Sequence, residues 1–414
     1  MSQASREWRR QLNRKRKLIA AVIFALIAVF IVAGVYRNNQ RYLVEKSEYT
    51  NAYKTNLFFF KDIDYIELKD FQASDLTVPE GDKTNGYKVL TTSQKVVDQD
   101  FLNYQTQTID EIISAKYFSD WPKVIDEISS NYAGMAKITT QFGAKERERK
   151  EFLIDSVQFM GETEADLNKV KAQYAALNDG QARDITLSGL GMMGTGYVYA
   201  SLSAMEKVVS ESALPYINTD FLKTASKIDT QDSPALKIIN NDHIFAAFSV
   251  DKDTVVAGED EALANKEEYI GVRDDSKNAD YYKFLVKRVD QLPYYPKLSF
   301  KDGDNTYRGY LVDVKEDGEN KIIIMMIKDY VSVFANQIMV NTDVYTERFD
   351  CYKVPQSSIV KQDGETFVKT LEKGYFEDLL PVDVYKYEDG MAILKTDSEK
   401  NAALSSETTI KVYP

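Results

Sequence analysis

Cysteine and histidine each occur once in 414 residues, as Cys351 and His243. A lone cysteine cannot close an internal disulfide, so the fold must rest on burial and hydrogen bonding, which a chain of this length can supply. The same scarcity removes cysteine metal clusters and paired-histidine sites, and leaves any Ser-His-Asp arrangement dependent on one residue. Positive charge is also short, with 52 Lys and Arg against 64 Asp and Glu, a formal charge of −12. No catalytic residue, cofactor or metal ligand is assigned on this composition, and an enzyme is not expected.

Long apolar runs are equally few. The run Leu18 to Tyr36, LIAAVIFALIAVFIVAGVY, carries nineteen residues without a charge, enough to cross the hydrocarbon layer as a helix. It continues directly into Arg37, Asn38, Asn39 and Gln40 with no small-residue cleavage site, so it reads as an uncleaved anchor and not as a signal peptide. Arg6, Arg9, Arg10, Arg14, Lys15, Arg16 and Lys17 precede it against Glu7 alone. That bias places the tail, residues 1–17, in the cytoplasm and the bulk of the chain outside the cell membrane. Removing the +6 of the tail and the +2 of Arg37 and Arg41 from −12 leaves −20 on residues 42–414. Such a balance repels nucleic acid and other polyanions.

The remainder alternates in character. Residues 42–95 read as a small β unit, with Asn56 to Phe60 and Tyr65 to Leu68 β-prone and a turn at Val78-Pro79-Glu80-Gly81-Asp82. From Asp98 to Asn131 the apolar period becomes helical through Phe101, Tyr104, Thr108, Ile112, Val124, Ile125 and Ile128, with Pro122 dividing it into two pieces. A further helix is expected from Ala144 to Asn178, opening on the solvated run Lys145 to Glu151. Its stripe of Leu153, Val157, Met160, Leu167, Val170, Tyr174 and Leu177 suits helix packing or a partner helix. Together residues 98–180 predict an α-helical hairpin. Residues 181–230 return through the glycine-rich stretch Ser188 to Gly196 and a helix-compatible run from Val198 to Leu214. Strands then dominate 231–340 and 341–414, punctuated by Asp302-Gly303, Asp317-Gly318, Asp363-Gly364 and Asp389-Gly390. Val382 to Tyr387 is among the expected strands.

In this β, long α, β order the chain resembles the HlyD-like membrane fusion proteins, adaptors of export systems, in their divergent Gram-positive form. Val78 to Leu90, VPEGDKTNGYKVL, is similar to the first half-motif of the family's lipoyl-like sandwich. Gly81 and Gly86 stand for its glycines and Thr84 for a hydrophobic residue. Leu187-Ser188-Gly189-Leu190 is similar to the second half-motif. Phe349 to Val368, FDCYKVPQSSIVKQDGETFV, looks like the family's later V-P-x-S hairpin through Val354, Pro355 and Ser358, with Ser358 in place of alanine. The resemblance implies a membrane-anchored α+β architecture. A lipoyl-like β-sandwich, residues 42–95 and 181–230, would be split by the hairpin and followed by a β-barrel, 231–340, and a membrane-proximal β domain, 341–414. It also implies self-association and assembly with a membrane transporter, without enzymatic activity. Relatives encoded among cell-division genes imply a rival partner set of envelope or division proteins.

Other patterns point less far. Gly189-x-Gly191-x-x-Gly194 matches a dinucleotide fingerprint, with Glu211 near the place of a ribose-binding acid, but no alternating βα units come after it. Glycines re-entering a β layer explain it better. His243 beside Asp242 could form an acid-base pair, although a turn histidine is commoner. Asp302-Gly303-Asp304-Asn305 and Asp251-Lys252-Asp253 lack the ligand ladder of a calcium loop and read as turns. Tyr281-Tyr282, Tyr294-Tyr295, Phe300 and Tyr307 would form the pocket of an extracytoplasmic ligand-binding module, the third alternative, but core packing is the default for them.

Overall fold

Asn56 to Phe60, NLFFF, has no polar alternation, and the structure gives the reason: both faces of this strand are buried. The computed structural model describes residues 3–38, 41–68, 70–91, 99–135, 152–177, 185–186, 194–228, 230–270, 278–289, 295–372 and 376–412. These divide into a unit of Asn51–Glu347 and a unit formed by Met1–Thr50 with Arg348–Pro414. The strands β2 (Glu45–Phe60) and β13 (Met339–Pro355) contribute residues to both.

In the larger unit, β10 (Lys297–Asp302), β11 (Asn305–Asp317), β12 (Asn320–Ile327) and β9 (Ile244–Asp251) continue through β2 to β13. Pairing of Ser299 with Tyr345 and of Phe300 with Val344 joins β10 to β13 and closes a six-stranded ring. Leu57, Phe59, Ile244, Ala246, Phe248, Ile323 and Met325 form one cluster with Phe300 and Phe334. Phe58, Phe60, Phe245, Ala247, Ile322, Ile324 and Met326 form another with the helices. This is the period of two that a strand imposes, and a ring this narrow holds only side chains, so the helix-bearing face is the outer one. Each of these phenylalanines contributes roughly 1.5–3 kcal/mol by its burial. The Asp302-Gly303 and Asp317-Gly318 turns join β10 to β11 and β11 to β12 as expected, with positive φ at both glycines.

A second, four-stranded sheet runs β3 (Ile63–Glu67), β8 (Asp232–Ile239), β7 (Thr195–Ser203), β4 (Lys83–Asn85). Beside it β5 (Val89–Thr91) pairs with β6 (Ile185–Thr186). Strands before residue 92 thus pair with strands after residue 184, and the helices lie between them in sequence. The β unit is split by a helical insertion.

Several boundaries differ from expectation. Asn56 to Phe60 belongs to the ring and not to the split unit, because its two apolar faces need cover on both sides. Val198 to Ser203 is strand, with Val198 and Leu202 buried against Leu236 and Ile238, and the helical part of the run is confined to Ala204–Val208 and the 3-10 turn Glu211–Tyr216. Among the described residues, 231–340 include three helices, Glu259–Ile270, Asn278–Arg288 and the single turn Val331–Phe334, where only strands were expected. The strand expected at Val382 to Tyr387 is replaced by two, Phe376–Pro381 and Lys386–Glu388, with an irregular link between them.

The insertion begins with helices Gln99–Ala115 and Trp121–Met135, divided at Lys116, which takes a left-handed conformation, while Pro122 sits in the first turn of the second helix. Residues 144–178 do not form one helix: a 3-10 turn over Val157–Phe159 ends in extended Met160 and left-handed Gly161, and a new helix runs Glu164–Leu177. The run Lys145 to Glu151 lies outside the described residues. The first and last helices of the insertion pack on each other, with Lys171 paired to Asp110. Between them, Trp121, Ile125, Ile128, Leu153 and Val157 pack in one cluster with Phe221 and Phe245. The described residues on either side of 136–151 therefore pack onto the ring.

In the smaller unit, β1 (Arg41–Leu43), β19 (Thr409–Lys411), β15 (Glu365–Glu372) and β14 (Ile359–Gln362) form a sheet, with β16 (Phe376–Pro381) on the other side of β15. β17 (Lys386–Glu388) and β18 (Met391–Lys395) extend the end of β13. Asp363-Gly364 and Asp389-Gly390 each place both residues at positive φ, the twist that a two-residue hairpin requires. Helix Gln3–Asn38 carries the apolar run. Among the described residues no helix is long and apolar enough to cross a membrane, and within the run the side chains of Ala33, Val35 and Tyr36 are not described.

Candidate functional site

The first half-motif of the split unit meets β7 through the backbone, while the second, Leu187 to Leu190, lies outside the described residues. Gly81 N–H donates to the Val198 carbonyl at 2.8 Å, and Val198 N–H to the Asp82 carbonyl at 3.2 Å. Ala200 N–H donates to the Glu80 carboxylate at 2.9 Å. Gly81 has φ of +83°, the left-handed region that glycine enters without strain. Thr84 lies opposite Gly196, where any Cβ would stand 2.5 Å from the Ile239 carbonyl oxygen. Gly196 thus lets β7 lie close against β8. Gly86 lies in the turn after β4, while Ser188 and Gly189 fall outside the described residues. A strand, not a helix, comes after Gly194, so the dinucleotide fingerprint has no helix to open.

Above this sheet lies a cluster of buried charge. Glu206 sits on the short helix after β7, held by a reciprocal cap: Ser203 N–H donates to its carboxylate at 3.1 Å and its own N–H donates to Ser203 Oγ at 3.2 Å. Lys237 of β8 donates to Glu206 Oε1 at 2.6 Å and to Asn336 Oδ1 at 3.3 Å, and lies 4.9 Å over the Tyr199 ring. Lys61, just past β2, reaches only to 3.9 Å from the same Oε1. Among the described residues its Nζ has no hydrogen-bond partner, and the residue is 1% exposed. Burial pushes this ammonium down to about 7, with Glu206 resisting and Lys237 assisting. A half-neutral amine is a nucleophile in principle, but at that exposure no solute reaches it. The cluster acts as a clamp between the strand leaving the ring and the split sheet.

Two further clamps flank it. Lys207 bridges Asp155 of the insertion at 2.9 Å and Glu67 of β3 at 3.0 Å. Burial opposes its charge, but the two carboxylates outweigh that and raise its pKa. His243, in the β8–β9 turn, shares a 2.7 Å hydrogen bond with Glu211 through Nε2 and stands 3.7 Å from Asp242. Burial works against the imidazolium, yet the Glu211 bond and the Glu211, Asp62 and Asp242 charges raise its pKa overall. Sequence reasoning paired His243 with Asp242; the nearer partner, Glu211, lies 32 residues away. Lys61, Glu206 and Lys237 were missed altogether, since nothing local distinguishes them from surface charges.

The remaining candidates pack as structure. Leu153, Val157, Met160 and Leu167 are buried in the main core; Val170 and Tyr174 pack against it, and Tyr174 and Leu177 against the cluster of the split sheet. Val354 is buried, Pro355 ends β13, and Ser358 is buried with its Oγ donating to the Pro355 carbonyl at 2.6 Å. Tyr281, Tyr282, Tyr295 and Phe300 are buried; Tyr282 donates to Asp313, which Lys266 also holds at 2.8 Å. Tyr307 stacks at the edge of Phe334, and Tyr294 is outside the described residues. A groove of about 310 Å³ lies along Lys252 to Glu261, and its Glu259 is paired to Lys321 at the groove's edge. Among the described residues no group of three acid, His or Cys side chains could hold a metal.

No family model and no curated protein matches the chain. Solved structures similar to it include a membrane fusion protein and a periplasmic adaptor protein. MacA from Actinobacillus actinomycetemcomitans is 10% identical with a TM-score of 0.29, over 90% of this chain and 100% of that one. The membrane fusion protein Spr0693 from Streptococcus pneumoniae R6 is 11% identical with a TM-score of 0.23, over 72% of this chain and 98% of that one. The periplasmic adaptor protein EmrA is 8% identical with a TM-score of 0.20, over 73% and 99%. At these scores the matched chains do not superpose as wholes.

Proposed function

We propose that the chain is a non-enzymatic, membrane-anchored adaptor whose extracytoplasmic units assemble with copies of itself and with an export transporter. One observation carries the reading: a single small β unit is completed across a helical insertion, β4 on β7 and β5 on β6. That arrangement gives a helical arm a fixed β base, as an adaptor of the HlyD-like kind requires. The ring and the terminal β unit come next in the order which that resemblance implies. Leu18 to Tyr36 serves as the anchor: its described large apolar side chains are exposed all round the helix, from Ile27 at 49% to Phe24 and Phe30 at 77%, as a helix facing lipid needs. The buried clamps hold the β base rigid beneath the arm.

A second reading, an envelope or division scaffold, draws on the shape of the insertion. Its longest described helix has 17 residues, about 25 Å, and Trp121, Ile125, Ile128, Leu153 and Val157 pack on the ring. An insertion packed on its own ring suits recruitment of neighbours near the membrane. The ligand-binding alternative lacks support, since Tyr281, Tyr282 and Tyr295 are consumed in the core.

Photo-crosslinking in cells tests the choice, with probes at exposed Gln107, Glu111 and Asn168 of the full chain. Capture of a transporter subunit is expected. Capture of division or wall-synthesis proteins alone favours the scaffold, and capture of neither contradicts both.

A further inference from the structure

The smaller unit turns one sheet face inward, and among the described residues the other is partly exposed. Register fixes the two sets: Tyr42 pairs with Ile410, Ile410 with Thr370, and Val368 with Leu380. Tyr42, Ile410, Val368 and Leu380 share the core cluster of this unit. The neighbouring residues therefore face the opposite way. On β1 these are Arg41 and Leu43, and across the sheet Arg41 pairs with Lys411 and Lys369 with Leu379. The antiparallel register about Thr370 and Ile410 brings Lys411 beside Lys369.

Three cations thus run in one row across adjacent strands, although like charges placed side by side on a sheet destabilise it. Glu377, on the same face, pairs with Lys411 at 2.6 Å and with Lys369 at 3.1 Å. Two leucines stand beside the row with large exposure, Leu43 at 55% and Leu379 at 39%. Cations interleaved with exposed leucines are unusual on an extracytoplasmic region of net charge −20. They match an interface of anionic headgroups over acyl chains, where lysine stems lie along apolar surface and their tips meet phosphate.

Chain length brings the face to such a surface. The N-terminal helix ends at Asn38 and β1 begins at Arg41. Three residue steps reach at most about 11 Å. We infer that the outer face of β1, β19, β15 and β16 rests on the anionic lipid surface of the membrane that the N-terminal helix enters. This inference depends on the anchor proposed above. The contact would fix the orientation of the terminal β unit on the bilayer, where a single helix alone leaves it free to rotate.

The test uses the full chain in vesicles of phosphatidylcholine with about one-third phosphatidylglycerol. An environment-sensitive fluorophore is attached at Leu379→Cys, at Leu43→Cys, at Lys361→Cys beside the β14–β15 turn, and at Phe24→Cys inside the anchor. Buried Cys351 stays unlabelled. Spin-labelled lipid is expected to quench Leu379 and Leu43 severalfold more than Lys361. Lys369→Glu with Lys411→Glu, or vesicles of phosphatidylcholine alone, should return Leu379 to the level of Lys361. Quenching at Phe24 with none at Leu379 overturns the lipid-facing sheet and leaves the anchor standing. Quenching at Leu43 alone reflects its nearness to the helix and also counts against the face, and no quenching at Phe24 overturns anchor and face together.

Discussion

Replacing Lys61 with methionine should stabilise the protein, and the gain should depend on pH. In the unfolded chain this lysine keeps its proton up to about 10.5, whereas in the fold it does so only to about 7. Between those values the unfolded state binds more protons, so stability rises with pH across the window and is lowest below it. Each tenfold change in proton affinity is worth about 1.4 kcal/mol, which puts the cost of Lys61 near neutral pH at up to about 5 kcal/mol. Part of that will be recovered by relaxation, and a buried charge replaced by a packed apolar side chain typically gains about 1–4 kcal/mol. Glu206 keeps Lys237 at 2.6 Å and the Ser203 N–H, so Lys61→Met orphans no carboxylate. The expected gain is about 2–4 kcal/mol at pH 7, shrinking toward zero by pH 10.5. Urea unfolding of the full chain in detergent, followed across that range, measures it. Destabilisation at pH 7, or the same gain at both ends, would refute the account of Lys61 as an unsatisfied buried cation.

Lys237→Met should do the reverse, leaving Glu206 with a lysine 3.9 Å away, and cost about 3–5 kcal/mol in the same assay. Gly196→Ala should cost about 2–4 kcal/mol, because its Cβ would meet the Ile239 carbonyl and Ile238 Cγ2 at 2.5 and 2.6 Å; a cost below about 1 kcal/mol would contradict the close approach of β7 to β8. Since His243 is raised above 6.5 in the fold, its contribution is complete below that pH and lost as pH rises through the folded value. His243→Gln should therefore remove a stability decline above pH 6.5 that the native chain displays. Leu153→Ala, at a residue 1% exposed, should cost about 2–5 kcal/mol, whereas a partner-facing leucine would cost little.

How far the sequence could be read depended on the range of the signal. The four Asp-Gly turns were legible because each encodes its own backbone twist, and all four join neighbouring strands. The helical period through Phe101, Thr108, Ile112 and Val124 was legible for the same local reason. Asn56 to Phe60 was readable as a strand but not as part of the ring, since its partners are Ala246 and Ala247, nearly 190 residues away. Val198 to Ser203 carries Tyr, Val and Leu spacing that fits helix or strand, and only pairing with β8 decides it. The packing stripe identified the right apolar residues, but it assumed one helix where Gly161 turns the chain. The clamp around Glu206 left no signal at all: Lys61, Lys237 and Glu206 converge from three distant elements, and burial alone separates them from the many charges at the surface.

The adaptor reading stands on the β unit being completed across the insertion, and a disulfide across that seam tests it most directly. Lys83 and Tyr197 face each other in adjacent antiparallel strands, at a separation that a disulfide accommodates. In the full chain carrying Lys83→Cys and Tyr197→Cys, with a protease site inserted after residue 140, oxidation followed by cleavage should leave the two fragments joined until reductant is added. Fragments that separate without reductant, with both thiols still free, would contradict the split β unit and the adaptor architecture built on it.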